Sequence, residues 1–278
     1  MGVIETNTWL DEDFDDPLEI CTKVLEWKNR SEKYSKLVKT RRTEAIREPR
    51  GFYRYLQNFG MYRPTRLSKE SFEELKQKRV WSMVEQLYEH YRHKWIGQDI
   101  PIFIFPFGEK QGLFGRSSYK NKSGLSFHDK LFLFLTPKLT KQDIEALFVH
   151  EYHHVCRMNT IDKRIEDYNL LDSIILEGVA EVAVEAECGS NYLAPWCTRY
   201  TEKQLTELWK KYVADHLSVK KMESLHDQIL FGERGFPTML GYAAGYLLAK
   251  KYYHDRPFSI GDTFTVKSHK FLETVGDW

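Results

Sequence analysis

Apolar residues in the first 95 positions recur at the three- and four-residue spacing of helices. One such stripe follows Pro17, and proline is typical of the first position of a helix. Another begins at a candidate capping box, in which Ser71 is followed three residues later by Glu74. Gly97 ends this pattern. The sequence therefore predicts a helical N-terminal region, residues 1–96, packed on the rest of the chain.

After Gly97 the spacing of apolar residues changes from helical to strand-like. Residues 100–107 are rich in β-branched and aromatic side chains and predict a strand, whose two prolines indicate an edge position or an early stop. Residues 125–136 predict one or two further strands. Thr140 and Asp143 form a candidate capping box for a helix that runs to about residue 158. Three more helical patterns follow, at residues 170–188, 209–217 and 238–253. The predicted fold class is α+β, mostly helical, with a small mixed sheet.

Composition excludes some classes of function. The 41 basic and 40 acidic residues nearly cancel, so nothing indicates a nucleic-acid or membrane binder. The chain shows no export signal, no apolar run long enough for a membrane span and no paired cysteines, so we expect a cytoplasmic protein with free thiols. A Cys188–Cys197 bridge is the alternative. A basic cluster at residues 36–54 predicts a solvated surface, with a phosphate or acidic-partner patch as the alternative.

The candidate chemistry centres on His150, Glu151 and His154, an H-E-x-x-H motif in the helix that begins near Thr140. Residues four apart share one face of a helix, so the two imidazoles are placed to bind one zinc ion. Glu151 is then placed to handle a proton of a zinc-bound water. Its carboxylate falls inside the apolar arc of the helix, where it needs a partner. That partner is either the metal-bound water or a cationic side chain from elsewhere.

The next helix carries three glutamates on one face although it is apolar almost all round. Three buried like charges, Glu177, Glu181 and Glu185, require a cation. We therefore predict Glu177 as the third zinc ligand and Glu181 as the acceptor for the outer N–H of a ligating histidine. Pairing of Glu181 or Glu185 with an arginine is the alternative. His153 lies away from the apolar arc, which predicts an orienting or surface histidine rather than a ligand.

Three segments carry a resemblance to a known family: LSFHDKLFLFLTPKLTKQDIEALFVHEYHHVCR, LDSIILEGVAE and PTMLGYAAGY. They resemble the DUF2268 family of predicted zinc-dependent proteases and, more broadly, the gluzincin metallopeptidases, over about residues 97–250. The resemblance implies a zincin-like domain in residues 97–278, zinc as cofactor, and a peptide or protein substrate. It also implies that an extended substrate pairs with a sheet edge. The strand at Leu131–Leu135 is the predicted edge.

The resemblance further implies a metallopeptidase mechanism. Zinc at His150, His154 and Glu177 lowers the pKa of its water, and Glu151 acts as general base. Gluzincins commonly stabilise the oxyanion with a tyrosine or histidine from a later helix. Tyr242 is the predicted donor here, and the alternatives, Tyr246 and Arg234, stay open. Thermolysin-like gluzincins have an aspartate where this chain has Glu181.

Two other functions compete with the peptidase. One is a catalytically inactive zinc-containing protein that acts as a protein-binding or regulatory module. The intact Glu151 argues against it, because structural zinc needs no general base. The other is nucleic-acid binding through the basic cluster at residues 36–54. The sequence indicates no oligomeric state.

Overall fold

The computed structural model describes residues 1–29, 48–108, 122–161 and 163–277. The chain forms two compact units, each assembled from separate segments. The first contains residues 1–89, 99–125 and 130–147, and the second contains residues 90–98, 126–129 and 148–278. The domain boundary predicted between residues 96 and 97 stays a prediction.

Helices make up most of the described residues. They are α1 (Thr6–Asp13), α2 (Pro17–Asn29), α3 (Pro49–Asn58), α4 (Arg66–Gln77), α5 (Val80–Trp95), α6 (Lys141–Thr160), α7 (Leu170–Cys188), α8 (Glu202–Tyr212), α9 (Ser224–Phe231), α10 (Leu240–His254) and α11 (Ile260–Thr265). Shorter 3₁₀ segments join several of them. The predicted helical character of the N-terminal region is confirmed where it is described, in residues 1–29 and 48–95, apart from a two-residue strand at its start.

The predicted helix starts in this region had different outcomes. Pro17 begins α2, as predicted. The capping box at Ser71 is wrong, because α4 already begins five residues earlier. There the Thr65 side chain accepts a hydrogen bond from the Ser68 amide, and the Ser68 hydroxyl bonds back to the Thr65 amide. Helices α4 and α5 are separate because Arg79, between them, has a φ of 53° that a helix cannot contain.

Within the described ranges, the sheet has four strands, in the order β1-β2-β4-β3. Its strands are β1 (Gly2–Val3), β2 (Pro101–Pro106), β3 (Lys122–Ser126) and β4 (Leu131–Leu135). Strand β2 pairs in parallel with both β1 and β4. The side chains of β2 and β4 are buried, with Phe103 stacked on Phe132 at 5.1 Å between ring centroids. The fold is therefore α+β, mostly helical, with a small mixed sheet.

The predictions about sheet edges had different outcomes. Strand β2 is an inner strand, so the edge position considered for it is wrong, but the alternative of an early stop is confirmed because Pro101 and Pro106 mark its two ends, where a missing amide is tolerated. Leu131–Leu135 is not an edge strand either, because β4 lies between β2 and β3 and all five of its residues are buried. A continuous apolar run is typical of a strand covered on both faces. Within the described part of the sheet, the edge beside β4 is β3, whose residues are all partly exposed.

Capping residues define the two helices that carry the H-E-x-x-H motif and the glutamates. At α6 the predicted capping box is confirmed: the Thr140 hydroxyl donates to the Asp143 carboxylate at 2.6 Å and accepts from the Asp143 amide at 3.1 Å. Helix α7 has the predicted bounds. It starts from a box between Asn169 and Asp172, and it ends at Gly189, whose φ of 94° suits glycine.

Glycines let α10 approach α7 closely. A Cβ on Gly178 would collide with the backbone of Gly245, and a Cβ on Gly245 would collide with the Ile174 carbonyl. Larger residues at either position would push the two helices apart. This crossing fixes the distance between the glutamate helix and the helix that carries Tyr242.

Three other predictions have outcomes in the structure. The four cysteines are free, as expected, and the Cys188–Cys197 bridge is wrong. Within the described residues, no helix has the length and apolarity to cross a membrane. The basic cluster at residues 36–54 lies mostly outside the described residues, because positions 36–47 are not described.

Candidate metal centre

Three side chains from α6 and α7 converge on one point. The Nε2 atoms of His150 and His154 are 3.0 Å apart, and the Glu177 Oε2 atom lies 3.2 Å from the first and 3.3 Å from the second. The three side chains are 7–14% exposed. These are the three ligands that the sequence predicts, and the fold brings them together.

The donor set fits a zinc ion. Two atoms bound to tetrahedral zinc at about 2.1 Å lie about 3.4 Å from each other. The three observed separations, 3.0–3.3 Å, are close to that value. Two imidazoles and one carboxylate are also a typical ligand set of catalytic zinc sites, which leave one position open. The residues present therefore fit the metal.

The electrostatics of the site favour a positive charge. Burial opposes protonation of His150, but hydrogen bonds to Glu177 and Glu181 outweigh it and raise its pKa well above 6.5. Burial likewise opposes ionisation of Glu177, yet the adjacent imidazoles of His154 and His150 hold its pKa well below 4.5. The carboxylates thus draw a cation to the point between the Nε2 atoms. A proton or a metal ion meets that need.

Glu181 contacts the outer nitrogen of a candidate ligand. Its Oε1 atom accepts a hydrogen bond from His150 Nδ1 at 2.8 Å, and its Oε2 atom accepts from the Ala194 amide at 2.9 Å. Because a carboxylate only accepts, His150 carries a proton on Nδ1, and loss of the second proton would leave the Nε2 lone pair for a metal ion. Arginine is not the partner of this carboxylate. Glu185 pairs instead with the Tyr246 hydroxyl at 2.7 Å and with Lys250 at 2.9 Å.

Glu151 is 9% exposed, and its carboxylate has a neutral partner. The Ser126 hydroxyl, at the end of β3, makes a short hydrogen bond to Glu151 Oε2 and lies 2.9 Å from the Glu151 carbonyl oxygen. The observed partner of the Glu151 carboxylate is thus a neutral hydroxyl, and not the cationic side chain that the sequence left open. Sequence reasoning missed Ser126, because a lone serine 25 residues before the motif gives no spacing signal.

The three candidate oxyanion donors have different surroundings. Tyr242 lies beside Glu177, and burial together with that carboxylate raises the Tyr242 pKa well above 10. Tyr242 is also close enough to Glu151 to feel its charge. Tyr246 is occupied by Glu185 and Lys250. Arg234 lies in the connection before α10 with a φ of 51°. Tyr242 is thus the candidate beside the ligand set.

His153 is placed differently from the prediction of a surface or orienting residue. Its side chain is fully buried, and its Nε2 atom lies 2.7 Å from the Thr263 hydroxyl of α11. Burial, with the neighbouring His154 and Arg157, holds its pKa well below 6.5. His153 therefore stays neutral and joins α6 to the C-terminal part of the chain. It does not contact the ligand set.

Comparisons with known proteins point to the same part of the chain. A family model described as "Predicted Zn-dependent protease (DUF2268)" matches residues 80–273. The uncharacterized protein YjaZ of Bacillus subtilis (strain 168) is 37% identical over 226 residues, which are 81% of this chain and 86% of that protein. The uncharacterized protein YjfC of the same strain is 23% identical over 143 residues, 48% of this chain and 47% of that protein. No solved structure matches the chain significantly.

Proposed function

This chain belongs to the DUF2268 family of predicted Zn-dependent proteases, and from that premise we propose that it is a zinc-dependent metallopeptidase. Its substrate is a peptide or protein, and its fold is of the zincin type with a gluzincin ligand set. We place it in the cytoplasm. These statements go beyond the family description. The activity and the substrate rest on the site, and the location rests on the four cysteines, none of which forms a disulfide.

The observation that carries the proposal is the triangle of ligand atoms from His150, His154 and Glu177, with sides of 3.0–3.3 Å. Zinc bound there lowers the pKa of a water molecule and polarises the scissile carbonyl. A purely structural site closes all four positions with protein ligands. Among the described residues, three candidate ligands surround this point. The set therefore favours a catalytic over a structural site.

Glu151 and Ser126 have separate roles in the proposed reaction. Glu151 accepts the proton of the attacking water and delivers it to the leaving nitrogen. The Ser126 hydroxyl holds the Glu151 carboxylate in place before substrate arrives. Burial of Glu151 limits its contact with bulk water, so the proton it takes stays available for the leaving group.

Tyr242 stabilises the developing negative charge. Its raised pKa keeps the phenol protonated, so it donates a hydrogen bond. In the substrate-free site the acceptor is Glu177. A substrate oxyanion beside Glu177 would compete for the same proton, and such donors aimed at developing charge lower the barrier substantially.

Zinc content and the variant Glu151→Gln test the proposal. We expect about one zinc per chain in the purified protein. Glu151→Gln should retain that zinc and lose nearly all cleavage of a casein or peptide-library substrate, because glutamine cannot accept the proton. Glu145→Gln, a change of the same type on the same helix, is the control and should cleave normally.

The same experiment separates the peptidase from the inactive zinc-containing module. Cleavage by the native protein that Glu151→Gln loses supports the enzyme. Zinc without cleavage of any substrate in the library supports the module. No zinc uptake, with no rise in melting temperature on adding zinc, contradicts both.

A further inference from the structure

The carboxylate of Glu181 is held from both ends. One oxygen, Oε1, faces His150 Nδ1 at 2.8 Å. The other, Oε2, receives two donors, the Ala194 amide at 2.9 Å and the Cys197 thiol at 3.4 Å. Both donors come from the segment that follows α7, at and just before the 3₁₀ helix Pro195–Thr198. The glutamate side chain is 4% exposed.

The thiol acts as a hydrogen-bond donor here and not as a nucleophile. Burial and the negative charges of Glu181 and Glu185 raise the pKa of Cys197 far above 9, so the sulfur keeps its proton. The protonated thiol can donate only toward an acceptor, and Glu181 Oε2 is the acceptor within reach.

The two donors on Oε2 restrict the rotation of the Glu181 side chain. A glutamate side chain has one more rotatable bond than aspartate, so a glutamate in this role needs more support to keep one oxygen on the imidazole. Two donors on Oε2 supply that support. They hold a proton of His150 on Nδ1 and keep its Nε2 atom directed at the point where the metal would bind.

We propose that Cys197 is a positioning residue of the metal centre: its thiol, with the Ala194 amide, orients Glu181 on His150 and thereby tightens zinc binding. The inference rests on the proposed function only for the presence of the metal. It needs no peptide cleavage, so it can be tested on the zinc-loaded protein alone.

The test measures the zinc dissociation constant by competition with a chromophoric chelator. Cys197→Ala removes one of the two donors and should weaken zinc binding several-fold, by less than the loss of about tenfold expected when Glu181 itself is removed. Cys197→Ser keeps a donor and should restore most of the affinity. One side of Cys197 faces a cavity of about 470 Å³, so shortening it leaves no closed void and the variants should fold. Cys188→Ala, at another partly exposed cysteine, is the control and should bind zinc normally.

A second background isolates the role of Glu181. In Glu181→Ala protein, adding Cys197→Ala should change the zinc affinity little, because the carboxylate through which the thiol acts is gone. The proposal is overturned if Cys197→Ala binds zinc like the native chain, if Cys197→Ser is as weak as Cys197→Ala, or if the effect persists without Glu181. The unfolding midpoint of each metal-free variant shows whether the fold is retained.

The outcomes for this inference and for the peptidase are separable. The predicted order of zinc affinities in a protein that cleaves nothing supports the thiol's role and contradicts the peptidase. If the protein cleaves peptides but Cys197→Ala binds zinc as tightly as the native chain, the peptidase is supported and the thiol's role is contradicted. A native chain that binds no zinc contradicts both.

Discussion

Helix α6 carries two groups of buried polar side chains, which lie at different heights along its axis and are satisfied in different ways. In the first group, His150 and His154 meet the carboxylates of Glu177 and Glu181. In the second, about two turns beyond His150, the Arg157 guanidinium donates to the backbone carbonyls of Thr263 at 2.5 Å and Val266 at 2.9 Å. We name these two groups by their partners, as the carboxylate side and the carbonyl side of α6.

The difference indicates which side can bind a ligand. On the carboxylate side, charged acceptors and imidazole lone pairs converge on one point, and the pKa of His150 rises because a positive charge is favoured there. On the carbonyl side the cation is already part of the chain, and its neutral acceptors belong to backbone that it holds in place. The first arrangement suits a metal site, and the second suits a clamp that fastens the C-terminal segment to α6.

The largest expected effect lies on the carboxylate side. Glu177→Ala removes a ligand, so zinc affinity should fall by more than about 100-fold, whereas Glu181→Ala should lose only about tenfold because it orients His150 without binding the metal. Competition with a chelator measures both. The reverse order would exchange the roles of the two glutamates. Urea denaturation of each metal-free variant shows whether its fold is retained.

On the carbonyl side, a substitution should lower the stability of the fold and leave zinc affinity unchanged. Arg157→Met keeps an unbranched apolar side chain but leaves one buried and one partly buried carbonyl without the donor, so the free energy of unfolding should fall by about 2 kcal/mol. Urea denaturation of the metal-free protein measures the loss. Zinc affinity in the folded variant should not change.

The control is Arg164→Met, because the Arg164 side chain is 67% exposed and pairs with Asp167 three residues away. Such surface pairs contribute little to stability. If Arg157→Met weakens zinc binding as strongly as Glu177→Ala while leaving stability unchanged, the division of α6 into two sides is wrong.

The sequence predicted what local spacing encodes. The four-residue period of His150 and His154, and of Glu177 and Glu181, was enough to propose the ligand set because helical geometry converts spacing into a shared face. The capping residues at Thr140 and Gly189 likewise fixed helix ends. These elements depend on neighbours within one or two turns.

Contacts between distant segments escaped prediction. Ser126 meets Glu151 from 25 residues away, and Cys197 meets Glu181 from 16. Neither spacing has a periodic signature. The sheet order had the same limitation, because the apolar run Leu131–Leu135 does not reveal whether it has one neighbouring strand or two. Two-residue β1 is too short for any pattern to detect.

The smallest expected effect tests whether Ser126 belongs functionally to the carboxylate side. Ser126→Ala removes the hydroxyl that holds Glu151, so kcat/KM for peptide cleavage should fall by about tenfold, or ~1.4 kcal/mol. Ser126→Thr keeps a hydroxyl and should recover most of that loss. Zinc affinity should be unchanged in both, because Ser126 contacts the general base and none of the three ligands. A loss of zinc with Ser126→Ala would mean that this hydroxyl supports the ligand set itself, and equal activity in all three proteins would mean that burial alone orients Glu151.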